Sequence, residues 1–149
     1  MDADTCHGPD ADASVTVARD VDGLIAILSA QFPQHGGEYL FLPGGRRENG
    51  EDAEQCARRE LREEAGITAT RWRLLGSYAI TLTSPVRLSL FLAQDLIHGE
   101  QQLTDSEHDF KLSWWSLEDA VNAAVEGRFL LPGGPLALLL SARLVDQPD

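Results

Sequence analysis

The segment Gly45-Arg-Arg-Glu-Asn-Gly-Glu51-Asp-Ala-Glu-Gln-Cys-Ala-Arg-Arg59-Glu60-Leu61-Arg-Glu63-Glu64-Ala-Gly66-Ile67 decides how the rest of the chain is read. From Asp52 to Ala65 it contains no Gly or Pro and is rich in Ala, Glu, Arg and Leu, and it stops at Gly66, the residue type expected just past a helix C-terminus. A helix over 52–65 is predicted. On it Glu60 and Glu64 are four apart and share a face, with Glu63 flanking the same surface. Ala53, Ala57 and Leu61 form the neighbouring stripe, small and apolar enough to pack on a sheet and hold the acidic edge at its rim. Carboxylates so spaced repel one another and prefer a compensating cation, and hard oxygen ligands suit Mg²⁺ or Mn²⁺. On spacing alone, a solvated face pairing these acids with Arg58, Arg59 and Arg62 is the favoured reading.

Outward from the helix, the chain alternates strand and turn signals. Upstream, Tyr39–Leu42 is apolar and stops at Pro43-Gly44-Gly45, which predicts a loop. Further upstream, Ser14–Arg19 and Leu24–Leu28 flank Asp22-Gly23 and predict a hairpin. Downstream, Trp72–Thr81 and Val86–Leu92 read as strands about a turn at Ser84-Pro85, and Phe110–Trp115 as another. The polar stretch from His98 to Asp109 lacks apolar periodicity and reads as an exposed loop. Ser116 is placed as the N-cap of a helix to Glu126, and Pro135 as the opening of an apolar helix to about Leu144. These elements make one domain over 14–145, with an N-terminal tail over 1–13 and a C-terminal tail over 146–149.

The 149-residue chain carries 24 acidic residues against 12 Lys and Arg, a net charge of -12. Attraction to the polyanionic backbone of a nucleic acid polymer or to an anionic membrane is excluded as a driving force, and a small anionic substrate needs a local cation. The N-terminus lacks the basic and apolar pattern of a signal segment, and the apolar run near Leu136–Leu140 falls short of the ~20 residues that span a bilayer. Cys6 and Cys56 have no zinc or disulfide spacing. A cytoplasmic protein is expected, with Cys56 a helix-packing residue rather than a nucleophile.

The whole segment Gly45–Ile67 resembles the Nudix box, G-x5-E-x7-R-E-U-x-E-E-x-G-U with U aliphatic, and all nine specified positions within its 23 residues are filled. The resemblance implies an α+β fold, an α/β/α sandwich with a central mixed sheet, and hydrolysis of a nucleoside diphosphate linked to another group. It implies that Glu60 and Glu64 ligate divalent cations directly, Glu63 directly or through water, and the Gly44 carbonyl as a further ligand, two to three Mg²⁺ or Mn²⁺ ions being held with substrate. It implies too that Gly45 lets the loop approach, that Glu51 and Arg59 support the loop and orient Glu60, and that Gly66 ends the helix. The resemblance is compatible with a homodimer.

For the general base, Glu107 in Asp105-Ser-Glu-His-Asp109 is the best positional match to the family's loop glutamate, with Asp109, Glu100 and Glu60 as rivals. Ser14–Asp20, Gln31-Phe32, Ser84-Pro85 and Phe91–Ala93 look like the ADP-ribose and nucleotide-sugar pyrophosphatase branch. Against that branch, Pro85 lies eighteen residues beyond Ile67 with no following glycine, and thirteen residues precede Ser14. A nucleoside triphosphate pyrophosphohydrolase is the second enzymatic reading, and a non-catalytic nucleotide-sensing protein the reading from another class. Trp72, Trp114 and Trp115 read as core or interface residues.

Overall fold

The computed structural model describes residues 11–145; Cys6, most of the N-terminal tail and the tail 146–149 lie outside them. The elements are β1 (Ala13–Ala18), β2 (Leu24–Phe32), β3 (Gly37–Phe41), β4 (Gly44–Arg46), α1 (Ala53–Ala65), β5 (Ile67–Ala79), β6 (Arg87–His98), β7 (Lys111–Ser116), α2 (Leu117–Val125) and α3 (Gly133–Val145). A mixed four-stranded sheet has the order β4-β1-β6-β5, with β1 parallel to β6 and the other pairs antiparallel. An antiparallel three-stranded sheet has the order β3-β2-β7. Helices cover both faces, which is the α+β sandwich the sequence predicts.

Alternation along the strands sends side chains into two cores. Val17, Leu90 and Leu92 join Ile25, Ile27 and Leu40 of the other sheet beneath α2 and α3, where Ala120, Ala123, Ala137 and Leu138 close the layer. On the opposite face Ala18, Ala26 and Ala93 meet Leu61 and Ala65 of α1. Alanines there let the helix axis come close, and Leu61, wholly buried, is the large side chain that fills the gap. This contact fixes where the acidic edge of α1 lies. At the helix ends, Asp52 accepts from Gln55 N at 2.8 Å while the Gln55 side chain accepts from Asp52 N at 2.8 Å, a reciprocal cap. Gly66 adopts φ 71° at the C-terminus, its amide donating to Arg62 and Leu61 carbonyls. A Cβ on Gly66 would also lie 2.6–2.8 Å from the Gly99–Gln101 backbone, so two constraints demand glycine there.

The structure corrects several expectations. β1 and β2 do not form a hairpin; a single bridge, Arg19↔Ile25, joins them. β1 is flanked by β4 and β6 and buried on both faces, so no edge remains for β2, and Asp20 instead turns the chain by accepting from the amides of Asp22 and Leu24. Pro43-Gly44-Gly45 is not wholly loop, since β4 pairs with β1 through Val15↔Gly44. Ala13, assigned to the tail, begins β1, and Asp12 receives the Arg87 amide at 2.9 Å. β5 begins directly after Gly66 and ends at Ala79, before Thr81, and β6 continues to His98. α3 begins at Gly133, with Pro135 in its first turn where the missing amide costs nothing. No described helix is long and apolar enough to cross a membrane.

Candidate active site

The site begins where β4 passes the acidic edge of α1. The Gly44 amide donates to Glu64 Oε1 at 2.9 Å. A Cβ on Gly44 would strike the Ser14 carbonyl oxygen, and one on Gly45 would strike the Glu60 carboxylate. Gly45 therefore lets main chain lie directly against the Glu60 carboxylate, and Gly44 lets β4 lie directly against the β1 main chain. Cys56 is buried beneath this crossing, donating to the Gly45 carbonyl at 3.5 Å, and burial pushes its thiol up to about 11. A thiol so held is inert at neutral pH, as expected for a packing residue.

Arg59 is the hub of the charged cluster. Its guanidinium donates to Glu51 Oε2 at 2.6 Å and Oε1 at 3.2 Å, to Glu60 Oε1 at 2.8 Å, to Glu63 Oε1 at 3.2 Å and to the Arg46 carbonyl at 3.1 Å. Glu51 in turn accepts from the Glu48 amide at 3.0 Å, closing the loop between β4 and α1. Arg59 lowers the Glu51 carboxyl below its ordinary range through this hydrogen bond. Of the three helix acids, Glu60 and Glu64 turn inward and are 9% and 4% exposed, while Glu63 lies at the rim.

Burial dominates the titration of the inward pair. Glu60 is pushed up to about 7 by desolvation, opposed by the Arg59 charge and reinforced by Glu63 and Glu107. Glu64 is pushed up to about 9 by desolvation and the Glu60 charge, with the Gly44 amide acting the other way. Two acids in one buried place, each resisting ionisation, form a site short of positive charge. Among the described residues no three His, Cys, Asp or Glu side chains are already gathered into a closed cage; Arg59 and Gly44 hold the Oε1 atoms of Glu60 and Glu64. The donor set nonetheless fits Mg²⁺ or Mn²⁺: hard carboxylate oxygens at the inner wall, a third at the rim, and glycine main chain pressed against them.

The loop candidates separate. Glu107 ends a short 3₁₀ turn over Asp105–Glu107, where its carboxylate accepts from the Thr104 amide at 3.2 Å. It is close enough for its charge to act on both Glu60 and Glu64. Asp109 instead accepts from the Gln31 amide at 3.1 Å at the end of β2, and Glu100 is exposed. Gln101 ties the loop down by donating to the Glu64 carbonyl at 2.7 Å.

Next to Glu64 opens a cavity of about 440 Å³, bounded at one end by Gly44, Gly45, Arg46 and Glu64. Its walls come from Phe32, Phe41 and Phe110, with aliphatic residues from Val15 to Leu131 completing them. Phe41 stands edge-on to Phe32 at 5.6 Å and to Phe110 at 4.8 Å between ring centres. Sequence reasoning missed these three phenylalanines, which lie on three strands or beside them and share no spacing. Trp72, Trp114 and Trp115 are half-buried elsewhere, the first under Arg58 at 5.0 Å and the last under Arg128 at 5.2 Å. A second cleft of about 620 Å³, lined by Arg19, Asp20, Arg71, Asp95 and His98 among others, contains none of these acids or phenylalanines.

The NUDIX domain family model matches residues 9–131. The chain belongs to this family. Over 101 residues it is 36% identical to the NAD-capped RNA hydrolase NudC of Vibrio cholerae serotype O1, covering 68% of this chain and 36% of that protein. It is also 38% identical over 80 residues to an 8-oxo-dGTP diphosphatase of Proteus vulgaris, covering 53% of this chain and 71% of the relative. The chain thus spans little more than a third of the NudC relative it matches. Among solved structures, an ADP compounds hydrolase superposes with a TM-score of 0.77 at 22% identity, covering 90% of this chain and 72% of that one; at that identity the likeness concerns the fold.

Proposed function

We propose that this Nudix chain is a divalent-metal-dependent hydrolase of the diphosphate linkage in a nucleoside diphosphate derivative, ADP-ribose or a nucleotide sugar being the substrate class. The observation that carries the reading is the buried Glu60–Glu64 pair against Gly44-Gly45, opening onto an apolar cavity beside it. Glu60 and Glu64 would hold the cations with the Gly44 carbonyl, and Glu63 would complete the set from the rim. When bound, Mg²⁺ or Mn²⁺ neutralises the diphosphate oxygens and makes water acidic enough to act as a nucleophile near neutral pH.

The chain's own residues do the rest. Arg59 holds Glu60 in one orientation while Glu51 fixes Arg59, so both are positioning residues. Glu107 would take the proton as water forms a bond to phosphorus; the phosphorus–bridging-oxygen bond breaks and its electron pair leaves with the departing phosphate. The Thr104 amide occupies only Oε1 of the Glu107 carboxylate, so the second oxygen remains to accept the proton.

NAD, the cap in the NudC relative's name, is itself a dinucleotide joined through a diphosphate, which supports a linkage of this kind. The charge of -12 favours a small molecule over the RNA body. The relation to an 8-oxo-dGTP diphosphatase keeps nucleoside triphosphate cleavage as the second reading. Hydrolysis of ADP-ribose, nucleotide sugars, NAD, NAD-capped RNA and nucleoside triphosphates with Mg²⁺ or Mn²⁺, products resolved by chromatography, separates them. The proposal expects nucleoside monophosphate plus a sugar phosphate; monophosphate plus pyrophosphate establishes the second reading, and no turnover favours a nucleotide sensor.

A further inference from the structure

Away from Arg46 and Glu64, the described lining of the cavity beside Glu64 holds no side chain able to hydrogen-bond the edge of a base. Its only charged side chains, Arg46 and Glu64, sit at the end where Gly44 and Gly45 meet α1, and the remaining residues are Ala, Val, Leu, Ile, Phe, Pro and Gly. Much of the wall's main chain is also spoken for. Phe41 and Phe32 lie in the ladder opposite Leu28 and Gly37, Val15 lies between Gly44 and Leu90, and Leu130 N donates to Leu40 O at 3.1 Å. What remains is three edge-on aromatic rings and aliphatic walls in a space of ordinary ligand size.

We propose that this cavity is a base-indifferent seat: resting on the hydrolase reading, it takes the planar base of the nucleotide by ring contact with Phe41 and Phe110 and accepts the four common bases with similar affinity. Every base has a π-face, so stacking is tolerant of identity and contributes between about fivefold and a hundredfold in affinity per base. A pocket that hydrogen-bonds one base edge instead rejects the wrong analogue by factors on the order of 10⁴. Substrate choice then falls to the diphosphate and the group beyond it. Phe41 is the cleaner probe of the two rings, because Phe110 also closes the turn carrying Glu107 through its amide on the Glu107 carbonyl at 2.8 Å.

The test is calorimetric binding of AMP, GMP, CMP, UMP and ribose 5-phosphate, with Mg²⁺, to the full chain and to Phe41→Ala and Phe41→Leu. Phe41→Leu keeps a large apolar side chain without the ring and guards against misfolding. The four monophosphates are expected to bind within about tenfold of one another, with ribose 5-phosphate at least about fivefold weaker than any of them. Both variants should lower all four by a common factor and leave ribose 5-phosphate unchanged. One base preferred by more than about a hundredfold, or ribose 5-phosphate binding as tightly as the nucleotides, overturns the proposal. Steady-state comparison of the ADP, GDP, CDP and UDP derivatives of one sugar separates the two claims. Base-tolerant binding without turnover sinks the hydrolase and spares the seat, whereas turnover with strong base selection sinks the seat and spares the hydrolase.

Discussion

The two ends of the cleft are built by opposite means. The carboxylate end comes from one continuous segment, Gly44 to Gly66, folded back so that β4 lies against α1, and it is crowded with charge. The apolar end is assembled from β1, the ends of β2 and β3, the β5–β6 turn, the residue before β7 and the approach to α3, and has almost no charge. A helix places Glu60, Glu63 and Glu64 by its own 3.6-residue repeat, so that end tolerates little change in sequence spacing. The other end needs only surfaces of the right shape. The charged end is suited to chemistry that must be held in one geometry, and the apolar end to a contact that accepts variation.

The largest expected effect breaks the charged end alone. Glu64→Gln should lower kcat on the order of 10³-fold with the fold intact, since the amide is nearly isosteric but is a poor cation ligand; circular dichroism with steady-state rates checks this. Glu107→Gln should lower kcat roughly 10²-fold while leaving Mn²⁺ affinity unchanged. A kcat within about threefold of the wild type would pass the role of base to another group. Arg59→Ala removes the charged hydrogen-bond partner of Glu51 and Glu60 and should cost about 1–3 kcal/mol in denaturant unfolding, an effect that an equivalent substitution at the exposed Arg58–Glu54 pair should not approach.

The smallest effect is a pH dependence that sharpens the contrast. Glu60 and Glu64 are raised above the ordinary carboxyl value of 4.5, to about 7 and about 9, so the folded chain binds more protons than the unfolded one. Their contribution to stability is full below about 4.5 and is lost as pH rises through these values. Glu51 behaves oppositely, its lowered carboxyl contributing above 4.5 and losing that contribution as acid protonates it. The melting temperature without divalent ions should therefore fall between pH 5.5 and 8.5, and Mg²⁺ or Mn²⁺ should raise it more at the alkaline end. Glu64→Gln should flatten that slope; a melting temperature independent of pH in the wild type would contradict the burial of these acids.

The contrast also explains what could be read from sequence. Glu60, Glu64, Gly45 and Gly66 were legible because helix periodicity and glycine's backbone freedom act over a few residues, and the Nudix box compresses both into one stretch. Phe32, Phe41 and Phe110 were not, since they converge only after β2, β3 and β7 form a sheet. The false β1–β2 hairpin has the same origin. Asp22-Gly23 does turn the chain, but strand partners are chosen by burial of β1 on both faces, which no local signal reports.

The central claim is that Glu60 and Glu64 form the cation-holding core of a hydrolytic site. Titration of Mn²⁺ into wild type and Glu64→Gln at pH 7.5, followed by electron paramagnetic resonance of the free ion, tests it most directly. The account predicts saturable Mn²⁺ binding by the wild type that weakens as pH is lowered to 6, and at least about tenfold weaker binding by the variant. Equal Mn²⁺ affinity in the two proteins would contradict it.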